Sequence, residues 1–160
     1  MNEPLLEINE KLLEYQTQRL QQSIMELMEC CDDRKLHEIG RFSLPYAELK
    51  CLMLFRGERY LTVKGIARKL EVAKSRVTKL INSLFEKRLV NRIDDPEDAR
   101  IRLISLSSKG KHMADEIEDF ERGIFRQMLL QMDPQERKGV LSNLEVLRSA
   151  MEAVKKSYFQ

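Results

Sequence analysis

Residues 62–111 read TVKGIARKLEVAKSRVTKLINSLFEKRLVNRIDDPEDARIRLISLSSKGK, and their apolar spacing changes from a helical period to an alternating one. Thr62 can accept from the free N–H groups of a first helical turn, which starts a helix burying Ile66, Ala67 and Leu70. Glu71, Val72 and Ala73 make a turn, and from Lys74 onward Val77, Leu80, Ile81 and Leu84 form a single stripe of a second helix. The opposite face of that helix carries Ser75, Arg76, Thr78, Lys79 and Asn82. These side chains can reach phosphates and base edges, on an element whose size fits the major groove of B-form DNA.

After Leu89 the pattern alternates. Val90 and Arg92 fall on one side and Leu89, Asn91 and Ile93 on the other, followed by Ile101 and Leu103 with alternating partners up to Leu106. Between the runs lie Asp94, Asp95, Pro96, Glu97, Asp98 and Ala99. Proline fixes its φ angle and aspartate bonds its own nearby backbone, so this segment turns the chain. The reading is a β-hairpin wing with an acidic tip, flanked by Arg92, Arg100 and Arg102, behind a helix-turn-helix. The fold class is mainly α with a small β-wing.

Charge supports this reading independently. Residues 62–111 hold 13 Lys and Arg against 6 Asp and Glu, whereas the whole chain holds 28 against 26. The remainder is therefore acidic, and the local surplus is the footprint of a surface that binds a polyanion.

From about Leu44 to Lys111 the sequence resembles the multiple-antibiotic-resistance-regulator (MarR) family of bacterial transcription factors. The specific stretches are Asp95-Pro96-Glu97-Asp98-Ala99-Arg100 and Leu103-Ile104-Ser105-Leu106-Ser107-Ser108-Lys109-Gly110. The resemblance implies a winged helix-turn-helix at 44–111 within a single domain of residues 1–160, with a helical dimerisation lobe built from 5–31 and 112–158. It implies an obligate homodimer with intertwined terminal helices, binding pseudo-palindromic double-stranded promoter DNA, most often as a repressor. Asp98 takes the place of the wing-tip acid, and Arg100 that of the arginine that enters the minor groove, where negative potential is concentrated. Small phenolic or other lipophilic anions are frequent effectors in the family, and Tyr15, Arg19, Phe42 and Tyr46 are the candidates for lining an effector cleft. Two positions depart from the family pattern. Ala73 stands where a Ser or Thr cap is common, at a cost of about 1 kcal/mol, and Arg88 stands where a glycine usually closes the recognition helix, asking a non-glycine residue to take a left-handed conformation.

Around this unit the chain reads as helical. Residues 5–30 place Leu5, Ile8, Leu12, Tyr15, Ile24, Leu27 and Met28 at near-helical spacing, and the charged stretch 31–43 reads as a connection. Pro45 suits the first position of a second helix that buries Leu49, Leu52, Met53 and Phe55, and Tyr60 and Leu61 suit a short strand beside the wing. Ser107 or Ser108 can cap a helix running to about Gln131. Asp133-Pro134-Gln135-Glu136 then combines an N-cap acid, a proline and a reciprocal glutamate. In the last helix Val140, Leu144, Leu147, Met151, Val154 and Tyr158 alternate steps of four and three, the seam of a coiled-coil-like contact.

The other function classes are weaker. No phosphate loop, nucleophile elbow or pair of metal-spaced histidines is present, so neither an enzyme nor a cofactor is expected. Cys30, Cys31 and Cys51 make no disulfide framework. Cys30 and Cys31, beside Asp32 and Asp33 and near His37, allow a redox- or metal-sensing regulator, yet the spacing matches no closed zinc motif. A helical protein-interaction module using the winged domain is the remaining alternative. No apolar run approaches the roughly 18 residues of a membrane span and the start MNEPLLEINE is unlike a signal peptide, so a cytoplasmic protein without membrane contact is expected.

Overall fold

The computed structural model describes residues 9–94, 98 and 102–158. In chain order they form α1 (Glu10–Phe42), α2 (Tyr46–Met53), β1 (Leu61–Thr62), α3 (Val63–Leu70), α4 (Lys74–Glu86), β2 (Val90–Asp94), β3 (Arg102–Leu106), α5 (Ser108–Leu130) and α6 (Pro134–Tyr158). The chain divides into two compact units, one ending at Gly110 and the other beginning at Lys111.

Helix α1 corrects the expected break at residues 31–43. It runs unbroken through CDDRKLHEIGRF and stops only at Ser43, which takes a left-handed φ of 52° two residues before Pro45. Charge density there suggests a loop, but the charges lie one turn apart and support a helix. Lys35 Nζ is 2.6 Å from Asp32 Oδ1, and Arg34 Nε is 3.2 Å from Glu38 Oε1. Glu38 is buried, which anchors this last stretch. Leu5 and Ile8 lie outside the described residues. The described helix is capped by Asn9, whose Oδ1 accepts from the Leu12 N–H at 3.1 Å.

Pro45 sits one position earlier than expected, at the N-cap of α2, where its carbonyl accepts from the N–H groups of Glu48 and Leu49. Leu49, Leu52 and Phe55 are buried, as the spacing predicts, and Leu44 and Cys51 join them. A turn closed by Gly57 at φ 72° follows, a conformation glycine adopts without strain. Thr62 then serves two elements. It pairs with Leu103 in β1, and its Oγ1 accepts from the Gly65 N–H at 3.0 Å to start α3.

The helix-turn-helix forms as read. Glu71 ends α3 at φ 55°, Ala73 precedes α4 without a side-chain cap, and Val77, Ile81 and Leu84 are buried. Arg88 adopts φ 60°, the left-handed conformation anticipated for it. The Leu89 N–H donates to Leu84 O and the Arg88 N–H to Phe85 O, which together close the helix.

The sheet is antiparallel with order β1-β3-β2, pairing Leu61 with Ile104, Val90 with Leu106, Arg92 with Ile104 and Asp94 with Arg102. Its core row carries Val90 and Ile104, whereas Leu103 is half-buried on the other parity and Ile101 lies outside the described residues. Alternation alone marks two rows without saying which of them faces the helices.

The start of α5 is tied to the end of α4 entirely within the first unit. The Ser107 N–H donates to Leu89 O at 3.0 Å. The Ser107 hydroxyl donates to Arg88 O at 2.7 Å and accepts from the Gly110 N–H at 2.9 Å, and Lys109 Nζ donates to Lys87 O at 3.2 Å. A Cβ on Gly110 would lie 1.8 Å from Leu89 O and 2.8 Å from its carbonyl carbon.

In the second unit Asp133 Oδ1 accepts from the Gln135 and Glu136 N–H groups, and Glu136 Oε2 accepts from the Asp133 N–H, the reciprocal cap expected at that tetrapeptide. Arg137 Nε donates to Leu129 O and Met132 O, closing the end of α5. No helix among the described residues is long and apolar enough to cross a membrane.

Two predictions follow from packing. Gly110→Ala drives a methyl into backbone that cannot yield as a side chain would, so it lowers unfolding free energy by about 2–3 kcal/mol, read from the urea midpoint. Cys30 and Cys31 are exposed whereas Cys51 is fully buried, and burial, then the charge of Glu48, pushes the Cys51 thiol up to about 12. Titration with a disulfide reagent at neutral pH therefore modifies Cys30 and Cys31 in the native protein and Cys51 only after denaturation.

Candidate nucleic-acid interface

Helix α4 presents two working sides because its 13 residues repeat with the helical period. Val77, Ile81 and Leu84 bury one side, which leaves Ser75, Arg76, Thr78, Lys79 and Asn82 exposed together on the other. Ala73 offers no side-chain acceptor and the Arg76 N–H donates to Ala73 O at 3.0 Å, which leaves the Lys74 and Ser75 amides without a side-chain cap at the start of the helix. Unpaired amides and the positive end of the helix dipole suit an anion such as phosphate. The Thr78 hydroxyl donates back to Lys74 O at 3.0 Å, so its lone pairs are what it offers outward.

A buried carboxylate, unmarked in the sequence reading, holds α4 in place. Glu48 of α2 is 4% exposed; its Oε1 accepts from the Ser83 hydroxyl at 2.7 Å and its Oε2 from Lys87 Nζ at 2.5 Å. Both oxygens are thus spent on the far side and end of α4, which offsets the cost of taking the charge out of water. The available signal was position. Glu48 precedes Leu52 by one turn and so lies on the buried stripe of α2, where a charge requires a partner.

The wing residues distribute unevenly. Arg92, on β2, has its guanidinium 4.6 Å from the Phe85 ring centroid and donates through Nη2 to Asn82 Oδ1. Two of the expected DNA-facing residues, Asn82 and Arg92, therefore engage each other across the helix–wing junction. Arg102 is exposed at the last described rung of the hairpin, opposite Asp94. Asp98 is exposed. Arg100 lies outside the described residues.

The four effector candidates are not gathered within one chain. Tyr15 and Arg19 are exposed near the start of α1, while Phe42 closes the same helix and Tyr46 opens α2. Because α1 is continuous, Tyr15 and Phe42 are separated by about 40 Å along one axis. Tyr46 has two ammonium groups near its ring, with Lys35 Nζ 5.6 Å and Lys50 Nζ 6.0 Å from the centroid. A hydrogen bond from Lys35 to Asp32 holds the Lys35 pKa above its ordinary value. Among the described residues, no group of three or more His, Cys, Asp or Glu side chains is placed to hold a metal ion.

Comparison with known proteins matches this geometry. Residues 42–101, which take in the helix-turn-helix and β2 and end before β3, match the profile described as the MarR family. A curated relative, the HTH-type transcriptional regulator PchR of Bacillus subtilis (strain 168), is 32% identical over 92 residues. That match takes in 56% of this chain and spans about half, 54%, of the relative's length. Among solved structures, a MarR family protein from Bacillus stearothermophilus superposes with a TM-score of 0.76 at 19% identity, covering 87% of this chain and 97% of that one. Streptococcus pneumoniae FabT in complex with DNA gives 0.73 at 17% identity, covering 87% and 99%. At such identities the superpositions establish the fold, a winged helix-turn-helix flanked by helices, and the profile match shows that residues 42–101 are similar to the MarR family.

Proposed function

We propose that this protein is a DNA-binding transcriptional regulator that occupies pseudo-palindromic promoter DNA as a homodimer and acts as a ligand-responsive repressor. The observation that carries the reading is the exposed face of α4. Ser75, Arg76, Thr78 and Lys79 stand together on a helix held from behind, inside the segment where cations outnumber anions by 13 to 6. Arg76 offers a bidentate fork for guanine or phosphate, and Lys79 offers a point charge. The DNA bound to the structurally similar FabT belongs to that protein and supports the same use of the fold here.

Exposed apolar surface supports the homodimer. Leu12, Leu20, Met25, Leu27 and Met28 on α1, with Leu144, Met151 and Val154 on α6, are left to solvent in a single chain. Large apolar side chains exposed in this number mark association surfaces. Two-fold symmetry would set two α4 helices about one helical turn of DNA apart, roughly 34 Å. Effector control would then be a population shift, in which a small lipophilic or phenolic anion binds one arrangement of the two heads more tightly than the other.

Fluorescence anisotropy tests the reading with duplex from upstream of the protein's own gene and with scrambled duplex, across a salt series. Preference for the upstream duplex with a steep salt slope is expected, since only a counterion-coated polyanion gives that dependence. Lys79→Ala lowers the slope by about 1 and weakens all sequences alike, as does loss of a phosphate contact. Equal, weak binding to both duplexes would instead favour an acidic protein partner for the basic face. For the assembly, the double variant Leu144→Glu with Met151→Glu is expected to sediment as a monomer while the unmodified chain sediments as a dimer. Identical sedimentation of the two would remove the α6 stripe from the interface.

A further inference from the structure

Three residues at the junction of α4 and the wing form a unit that the reading face does not explain. Arg92 shares its sheet rung with Ile104, so both point to the helix-facing side of the sheet, where Ile104 is buried and Arg92 emerges beyond the core. There it meets Asn82 and Phe85, one turn apart on α4. The aromatic face attracts the guanidinium, and the Asn82 carbonyl oxygen accepts from its Nη2. Phe85 is 46% exposed, a large apolar ring outside the core with this cation against it.

From this arrangement we infer that Asn82 and Phe85 are positioning residues. They aim Arg92 at the DNA backbone and make helix and wing a single contact surface, and Asn82 is not a base reader. The inference rests on the proposed DNA-binding function. Its chemistry is a matter of amide orientation. An asparagine reads adenine by donating to N7 while accepting from the N6 amino group through the same amide oxygen. In this protein that oxygen accepts from Arg92 through one of its two lone pairs, so the amide is oriented by the wing, and reading adenine would require turning it out of that bond. Arg92, by contrast, spends one N–H of five on Asn82 and one face on Phe85, so its outer edge keeps donors for a phosphate.

The test combines a readout of the free protein with one on DNA. In the free protein, side-chain nitrogen NMR of the Arg92 guanidinium is expected to show restricted rotation that is lost in Asn82→Ala and in Phe85→Leu and retained in Phe85→Tyr, which keeps the aromatic face. On DNA, Arg92→Ala is expected to cost about fivefold near 0.15 M salt, the counterion-release contribution of one phosphate contact, and to lower the salt slope by about 1. Asn82→Ala and Phe85→Leu produce the same sequence-uniform loss, and neither adds to it in the Arg92→Ala background. Unchanged circular dichroism and melting temperature verify that these surface variants fold. A loss in Asn82→Ala confined to one base pair, or persisting in full in the Arg92→Ala background, would overturn the inference, as would an Arg92 guanidinium indifferent to Asn82 and Phe85. If the unmodified protein binds no duplex, the DNA-binding function itself fails, while the NMR arm still reports whether the three side chains act together.

Discussion

The contact on which the rest of the head depends is the approach of Gly110 to the backbone of Leu89. No side chain fits between them, so the first turn of α5 lies directly against the peptide where α4 gives way to β2. Ser107 secures the same spot twice, through its N–H to Leu89 O and its hydroxyl to Arg88 O. Backbone groups freed by the end of one helix are thus satisfied by the start of another, which is how a buried chain junction avoids orphaned carbonyls. Arg88 must turn left-handed for this to work, and the bonds around it offset a strain of order 1–2 kcal/mol.

The same constraint explains why a small sheet suffices. The three strands are short, and two of them are joined by the wing, so alone they would be marginal. They persist because Leu61, Val90 and Ile104 are buried together with Ile66, Val77 and Ile81. The wing is therefore an extension of a packed sheet with its direction already set at its base.

Elements carrying a local signal were legible in the sequence. Thr62, the turn at Glu71, the left-handed Arg88 and the Asp133–Glu136 cap each depend on bonds within a few residues, and each forms as read. Features that depend on distant partners were not legible. The charged stretch 31–43 carries a local helix signal in its pairs one turn apart, Lys35 with Asp32 and Arg34 with Glu38, but nothing local reveals that Glu38 is buried. Glu48 passed for an ordinary polar helical residue because its partners, Ser83 and Lys87, come more than thirty positions later. The exposed face of α4 was readable from period alone, but the division of labour within it was not. That Asn82 turns toward Arg92 depends on the sheet rung that aligns Arg92 with Ile104.

On the proposed function, that division limits how DNA specificity could change. Val77, Ile81 and Leu84 face the core, Ser83 and Lys87 answer a buried carboxylate, and Asn82 and Phe85 hold the wing arginine. A substitution at any of these costs packing, leaves a buried charge without its partner, or releases the wing. Ser75, Arg76 and Lys79 carry no such obligation to the fold, since they are exposed and lie on the first turns of the helix. The N-terminal turns are also where a recognition helix meets base edges. On the proposed DNA-binding function, residues able to vary without unfolding the head are therefore the ones placed to read sequence, and new operator preferences would arise there while the scaffold behind them stays unchanged.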